Sequence, residues 1–239
     1  MQLPGRLFDL FGEHAVWSGD HEGMSGETLR VTSHTGAFFV KRGAAAVAEH
    51  ERLLWLKRWA SVPDIVAFEG DTLVLADAGW RTLERRTTGD AGTVMGTVLR
   101  ALHDVPVPEC PFDERLDVKL ARAAERVRDG LADTADFDDD HTGLTPEQIH
   151  RRLLTERPAA EDLVVTHGDF TPANVLASPS GEPVLLDVGA LGTADRYVDL
   201  AVALRELPES AAADFLTAYG LTEPDQRKLD YYRLLDELF

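Results

Sequence analysis

Apolar and polar positions alternate over residues 27–41 (ETLRVTSHTGAFFVK). Leu29 and Val31 precede His34–Gly36, and Phe38 and Val40 follow it. A period of two is that of a half-buried strand, so this stretch predicts two strands around a turn. Over 47–59 the spacing changes. Val47, Leu53, Leu54, Leu56 and Trp59 suit a helix with one buried stripe, ended by Pro63. Residues 72–76 (TLVLA) predict a short apolar strand, with Gly79 beyond it. Val94, Val98 and Leu102 restore helical spacing over 92–104, and the charged, alanine-rich 117–132 predicts another helix. Residues 133–143 (DTADFDDDHTG) have no period and read as an acidic loop. Leu163–Thr166, Val175–Ala177 and Val184–Asp187 predict strands, with a turn at Ser178–Glu182. The last third is helical and closes on a helix begun near Pro224. Strands come first and helices later, which predicts an α+β fold of two lobes. The expected division is 1–77, carrying a small antiparallel sheet and one helix, and 78–239, mostly helical, joined near Asp77–Gly79.

Composition narrows the class. The 239 residues are 44% hydrophobic, enough for a buried core. No apolar run approaches the roughly 18 residues of a membrane span, and the N-terminus lacks the pattern of a secretory signal. A cytoplasmic protein is expected. Cys110 is the single cysteine, which excludes an internal disulfide and a cysteine-based metal cluster. There are 42 acidic residues against 24 Lys and Arg, a formal net charge of −18. Such a chain repels nucleic acid and anionic membrane and attracts cations. No nucleic-acid or membrane partner is expected.

The candidate chemistry lies at two strand ends. His167-Gly168-Asp169 follows an apolar strand, Asn174 stands five positions after Asp169, and Asp187-Val188-Gly189 ends another strand. Taken singly these are turn residues. Taken together they are the parts that phosphoryl transfer needs: a carboxylate at Asp169 to take the hydroxyl proton, and oxygen ligands at Asn174 and Asp187 for Mg²⁺. Gly168 and Gly189 are expected to allow unusual backbone angles beside those acids. Lys41, on a strand between apolar neighbours, reads either as a snorkelling lysine or as a lysine facing phosphates.

The chain terminus is also unusual. Asp236, Glu237 and the α-carboxylate of Phe239 gather at a helix C-terminus, where the dipole favours cations. Leu234, Leu235 and Leu238 argue that this helix docks rather than frays. Something cationic is expected to offset the three carboxylates, and a polyamine-like ligand would do so.

These segments resemble the catalytic and metal loops of the aminoglycoside phosphotransferases, relatives of the protein kinases. The likeness extends through Glu22–Ser25, Val40-Lys41, Leu54–Leu56, Thr155–Pro158, Ala194–Arg196, Asp199–Ala201 and Leu234–Phe239. The last segment is most similar to the 3′-phosphotransferase subgroup, which acts on kanamycin- and neomycin-like drugs. The resemblance implies a bilobal protein-kinase-like fold, ATP (or GTP) as donor, Mg²⁺, and a cationic aminoglycoside acceptor, in a monomer or weak dimer. It points to Glu49 as the partner of Lys41, with Glu51 the local rival. It makes Gly23–Gly26 a phosphate-covering loop using Ser25, puts backbone groups at Ala76 and Ala78 on the adenine edge, and sets Phe39 to stack on the base or to fill the core. Glu209 and the acidic loop 136–140, Asp138 within it, join Asp236, Glu237 and Phe239 in holding drug groups. Ala190 departs from the subgroup, which often carries arginine there; Arg196 or Arg205 is the expected substitute. The alternatives are a kinase of another small cationic or sugar-like metabolite, and a kinase-like module that binds nucleotide without catalysis.

Overall fold

The computed structural model describes residues 7, 10–12, 14–19, 28–85, 89–135, 137–177 and 182–239, with Asp139 described by its backbone alone. The chain forms two compact units: Met1–Thr82 with Leu176–Gly189, and Leu83–Val175 with Ala190–Phe239. The packing units interleave along the chain. The segment bearing Asp187 packs in the first unit although it lies far beyond residue 77.

In the first unit the predicted hairpin is β2 (Thr28–Ser33) and β3 (Gly36–Arg42), in register from Thr28↔Lys41 to Ser33↔Gly36. With β1 (Val16–Ser18), β4 (Ile65–Glu69) and β5 (Thr72–Ala76) it makes an antiparallel sheet of order β1-β2-β3-β5-β4. Alternation sends Phe38 and Val40 to one face, where they pack with Leu7, Phe11, Val31 and Val74. Phe39 and Lys41 occupy the other face. Phe39 therefore lies outside that buried cluster and on the side of the sheet that Lys41 uses.

The helix expected over 47–59 runs from Ala44 to Leu56, starting after Gly43 at φ 87°. Its buried residues include Ala46, Glu49, Leu53 and Leu56, the true i, i+3, i+7, i+10 stripe. Leu54 and Trp59, counted on the buried side from spacing alone, are instead exposed, at 43% and 41%. The stripe thus contains a glutamate, which an apolar count passes over.

In the second unit β6 (Leu163–Thr166) pairs antiparallel with β9 (Gly192–Asp195). Around them stand helices Ala91–His103, Leu116–Arg128, Pro146–Thr155, Tyr197–Glu206, Glu209–Tyr219 and Gln226–Asp236. Met95, Leu99, Ile149, Leu153, Leu200 and Phe215 are fully buried among them. In Ala91–His103 the buried stripe runs through Gly92, Met95, Gly96 and Leu99, while Val94 and Val98 are only half-buried. The glycines explain the shift. A Cβ at Gly92 or Gly96 would overlap the carbonyl oxygen of Ala211 or Phe215, so Glu209–Tyr219 packs backbone-close on that face. β7 (Val175–Ala177) and β8 (Pro183–Leu185) form a separate two-stranded sheet. The strand expected over Val184–Asp187 ends at Leu185. Among the described residues no helix is long and apolar enough to cross a membrane.

Candidate active site

The first unit supplies an ion triad. Lys41 Nζ, near the end of β3, lies 2.7 Å from Glu49 Oε2 and 3.1 Å from Asp187 Oδ1. The side chains of Lys41, Glu49 and Asp187 are 17%, 3% and 53% exposed. Burial alone would lower the lysine's pKa, but the Glu49 and Asp187 carboxylates outweigh it and hold the ammonium above its usual range. Glu49 moves up, because burial outweighs the pull of Lys41 and the charge of Asp187 adds to it. The glutamate partner is thus Glu49, one face of the helix away from exposed Glu51.

Asp187 is the non-glycine residue with positive φ, 51°, among the described residues. This left-handed conformation is unfavourable for a side chain and gathers at functional sites. Gly189, by contrast, does not take a positive φ. The freedom expected of that glycine is exercised by the aspartate itself. At the end of β5, the Ala76 N–H donates to Asp64 and the Asp77 N–H to Ala37. Asp77 then accepts from Arg30 and from the Gly79 N–H, leaving Ala78 exposed. Ser25 and the rest of Gly23–Gly26 lie outside the described residues, as do Asp136 and most of the Ser178–Glu182 turn.

The second unit builds the Asp169 loop. Gly168 has φ 92°, and a Cβ there would overlap the Ala190 carbonyl oxygen. Glycine is required on both counts. The backbone N–H groups of His167 and Gly168 donate to Asp199 Oδ2 and Oδ1, at 2.7 and 2.8 Å. Asp199 is fully buried. Burial would raise its pKa, but the His103 hydrogen bond, the two imidazoles and the Gly168 N–H outweigh this and hold it below the usual carboxylate range. The Asn174 amide donates to the Asp169 carbonyl at 2.9 Å and to Asp169 Oδ2 at 2.8 Å. The loop is thus tied down at both ends, and the carboxylate is fixed by its own loop.

The chain terminus docks: Leu234, Leu235 and Leu238 are buried. Its carboxylates are offset from within the chain. Arg205 Nη1 lies 2.8 Å from Asp236 and 3.8 Å from Asp138. Arg126 donates to the Leu238 and Phe239 carbonyl oxygens at 2.6 and 2.7 Å. Glu237, 3% exposed, accepts from the Asp138 N–H and bonds His141. Removal from water pushes the Asp236 carboxyl up and the charge of Asp169 adds to this, against the pull of Arg205. Glu209 is exposed at the start of its helix. Of the two arginines expected to stand in at Ala190, Arg205 reaches acids near Asp169, whereas Arg196 binds Asp162 and Tyr219. Sequence reasoning missed His103, and it gave Asp199 no role.

A strand lysine paired with a helix glutamate beside a small antiparallel sheet, with an H-G-D-x-x-x-x-N loop on a helical unit, defines a protein-kinase-like phosphotransferase. The chain matches the model of the phosphotransferase enzyme family over residues 16–232, and it belongs to that family. It is 37% identical to an aminoglycoside 3′-phosphotransferase of Streptomyces ribosidificus, over 95% of this chain and 96% of the relative. It is 34% identical to an aminoglycoside 3′-phosphotransferase of Escherichia coli, over 97% and 92%. The crystal structure of a type VIII aminoglycoside-3′-phosphotransferase matches with a TM-score of 0.87 and 35% identity, over 98% of this chain and 97% of that one. The fold class and the enzyme class expected from the sequence both stand.

Proposed function

We propose that this chain is a cytoplasmic kinase, monomeric or weakly dimeric, that transfers the terminal phosphoryl group of ATP to the 3′-hydroxyl of an aminoglycoside, a drug-resistance activity. GTP is the rival donor. The observation that carries the reading is the Asp169 carboxylate, fixed by Asn174 in a chain 37% identical to a 3′-phosphotransferase. Asp169 orients the drug hydroxyl and accepts its proton as the phosphoryl group moves, so no phosphoenzyme forms. Lys41, kept charged by Glu49, meets the phosphates. Phe39 lies along the base, and backbone groups at Ala76 and Ala78 meet its edge. With the Ala76 N–H engaged by Asp64, recognition there falls to carbonyl oxygens and to Ala78.

The donor set suits magnesium. The Asn174 amide nitrogen is spent on Asp169, which turns its carbonyl oxygen outward from that bond, and Asp187 is a half-exposed carboxylate. Hard oxygen donors of this kind suit Mg²⁺. Asn174 and Asp187 are each assigned as a ligand; when bound, the ion neutralises phosphate charge.

On the acceptor side Asp236, Asp138, Glu209 and the Phe239 carboxylate take the drug's ammonium groups, displacing Arg205 from Asp236. Glu237 holds the Asp138 loop against the terminus, and its direct contact with the drug requires the His141 bond to open. Asp169→Ala is expected to abolish transfer, measured as triphosphate consumption with drug, while nucleotide still binds in a calorimetric titration. A variant retaining most of its turnover overturns the assignment.

A further inference from the structure

We infer that His103, locked in place by Tyr219, is a positioning residue for the Asp169 loop; this rests on the catalytic role given to Asp169. His103 ends the Ala91–His103 helix, 96 positions from Asp199, yet its Nε2 lies 3.0 Å from Asp199 Oδ2. Its Nδ1 lies 2.8 Å from the Tyr219 hydroxyl. Arg196 Nη1 donates to that same hydroxyl at 3.1 Å and Arg196 Nη2 to Asp162 at 3.1 Å. One chain of polar contacts therefore runs from Asp162 through Arg196, Tyr219 and His103 to Asp199, and ends on the His167 and Gly168 N–H groups.

The donor directions form one consistent set. Arginine can only donate, so the tyrosine oxygen accepts from Arg196. The phenol, pushed up to about 12 by burial, keeps its proton and donates it in a hydrogen bond to His103 Nδ1. That leaves Nε2–H to donate to Asp199, whose carboxylate already accepts two backbone N–H groups. The imidazole edge is set against the Tyr219 ring, with centroids 5.5 Å apart and planes at 89°. His103, Asp199 and Tyr219 are all buried, so each group depends on its partners in place of water.

Packing enforces the geometry. Tyr219 can reach His103 because Glu209–Tyr219 lies backbone-close to Ala91–His103 at Gly92 and Gly96. A hydrogen bond made by a carboxylate held this way has one position, and it fixes the φ 92° turn at Gly168 that aims Asp169. Misplacing a reacting group by about 1 Å can cost about a hundredfold in rate, so a residue acting only through Asp199 can govern turnover.

The test uses three variants of the full chain, each assayed for kcat, for KM of ATP and kanamycin, and for thermal unfolding. His103→Leu is expected to lower kcat at least tenfold with both KM values within about twofold. His103→Gln, whose amide can still donate to Asp199, is expected to recover most of that loss. Tyr219→Phe, which keeps the ring and removes the hydroxyl, is expected to lower kcat about threefold to tenfold. If His103→Leu does not fold, the other two variants decide. Full kcat in Tyr219→Phe and no difference between Gln and Leu at residue 103, with only the melting temperature changed, would overturn the inference. Asp169→Asn is run in parallel: if it stays active, the catalytic reading fails, whatever His103 does. An inactive Asp169→Asn beside fully active His103 and Tyr219 variants removes this inference alone.

Discussion

Asp169 and Asp187 both follow short apolar strands, and each has a glycine within two positions, yet the chain holds them in opposite ways. The Asp169 loop is fixed through its backbone. Gly168 takes the left-handed turn, and the buried Asp199 carboxylate gathers two N–H groups. The Asp187 loop is fixed through a side chain. The aspartate itself takes φ 51°, and Lys41, braced by Glu49, holds its carboxylate. In the first loop the proposed catalytic side chain is left with an unstrained backbone; Asp199 holds the loop by its N–H groups, and the Asn174 amide holds the carboxylate itself. In the second, the functional side chain carries the strain and is tied to another functional side chain. Distant substitutions are therefore expected to act on Asp169 through geometry. Around Asp187 they are expected to act through charge and stability together.

The strongest way to break this contrast is Lys41→Met. It leaves Glu49 buried without its cation, and removing one partner of a buried pair costs about 3–5 kcal/mol. Thermal unfolding is expected to show this loss alongside loss of transfer. A variant that loses transfer but unfolds like the parent would show that the triad is not a structural tie.

Acid titration sharpens the contrast next. Asp199 has a depressed folded pKa. Its contribution is present above the unfolded carboxylate pKa near ~3.9 and is lost as pH falls through the folded value. Glu49 has a raised folded pKa, so its sign is reversed. Its contribution is present below the unfolded value near ~4.3 and is lost as pH rises through the folded one. Stability followed from pH 7 to 3 should therefore fall less steeply in Asp199→Asn than in the parent, and more steeply in Glu49→Gln. Equal slopes in all three would remove the distinction.

The smallest effect comes from Asp187→Gly. Glycine accepts a left-handed backbone freely, which is worth about 1 kcal/mol. The variant is expected to lose transfer while its denaturation midpoint rises or holds. A clear fall in the midpoint would mean that the Lys41 contact outweighs the strain.

Much of this was legible in the chain. The hairpin Thr28–Arg42, β5 and β6 follow from alternation and apolar runs, and the spacing of Asp169, Asn174 and Asp187 is what the proposed chemistry is read from. What escaped has physical reasons. β9 is Gly-Thr-Ala-Asp, with no strand pattern of its own, and exists by pairing with β6. β4, Ile-Val-Ala-Phe-Glu, is broken by a register shift between Ile65 and Ala67. The helix Pro146–Thr155 did carry a signal, the Thr145–Gln148 capping box with Pro146 at its start, which went unread. His103 and Asp199 look like ordinary helical residues until the fold brings them within hydrogen-bond distance across 96 positions of chain. The acceptor side was legible as charge but not as pairing. The terminal carboxylates do call for partners, and the chain supplies them before any ligand arrives: the Arg205 and Arg126 guanidiniums for Asp236 and the last two residues, and a His141 hydrogen bond for Glu237.

The central claim is the transfer of phosphate to a particular hydroxyl, and a matched set of aminoglycosides tests it most directly. Triphosphate consumption is measured with kanamycin- and neomycin-like drugs and with counterparts lacking the 3′-hydroxyl. The expected result is turnover with the first group and none above background with the second. Equal consumption with drugs that have no 3′-hydroxyl would contradict the account.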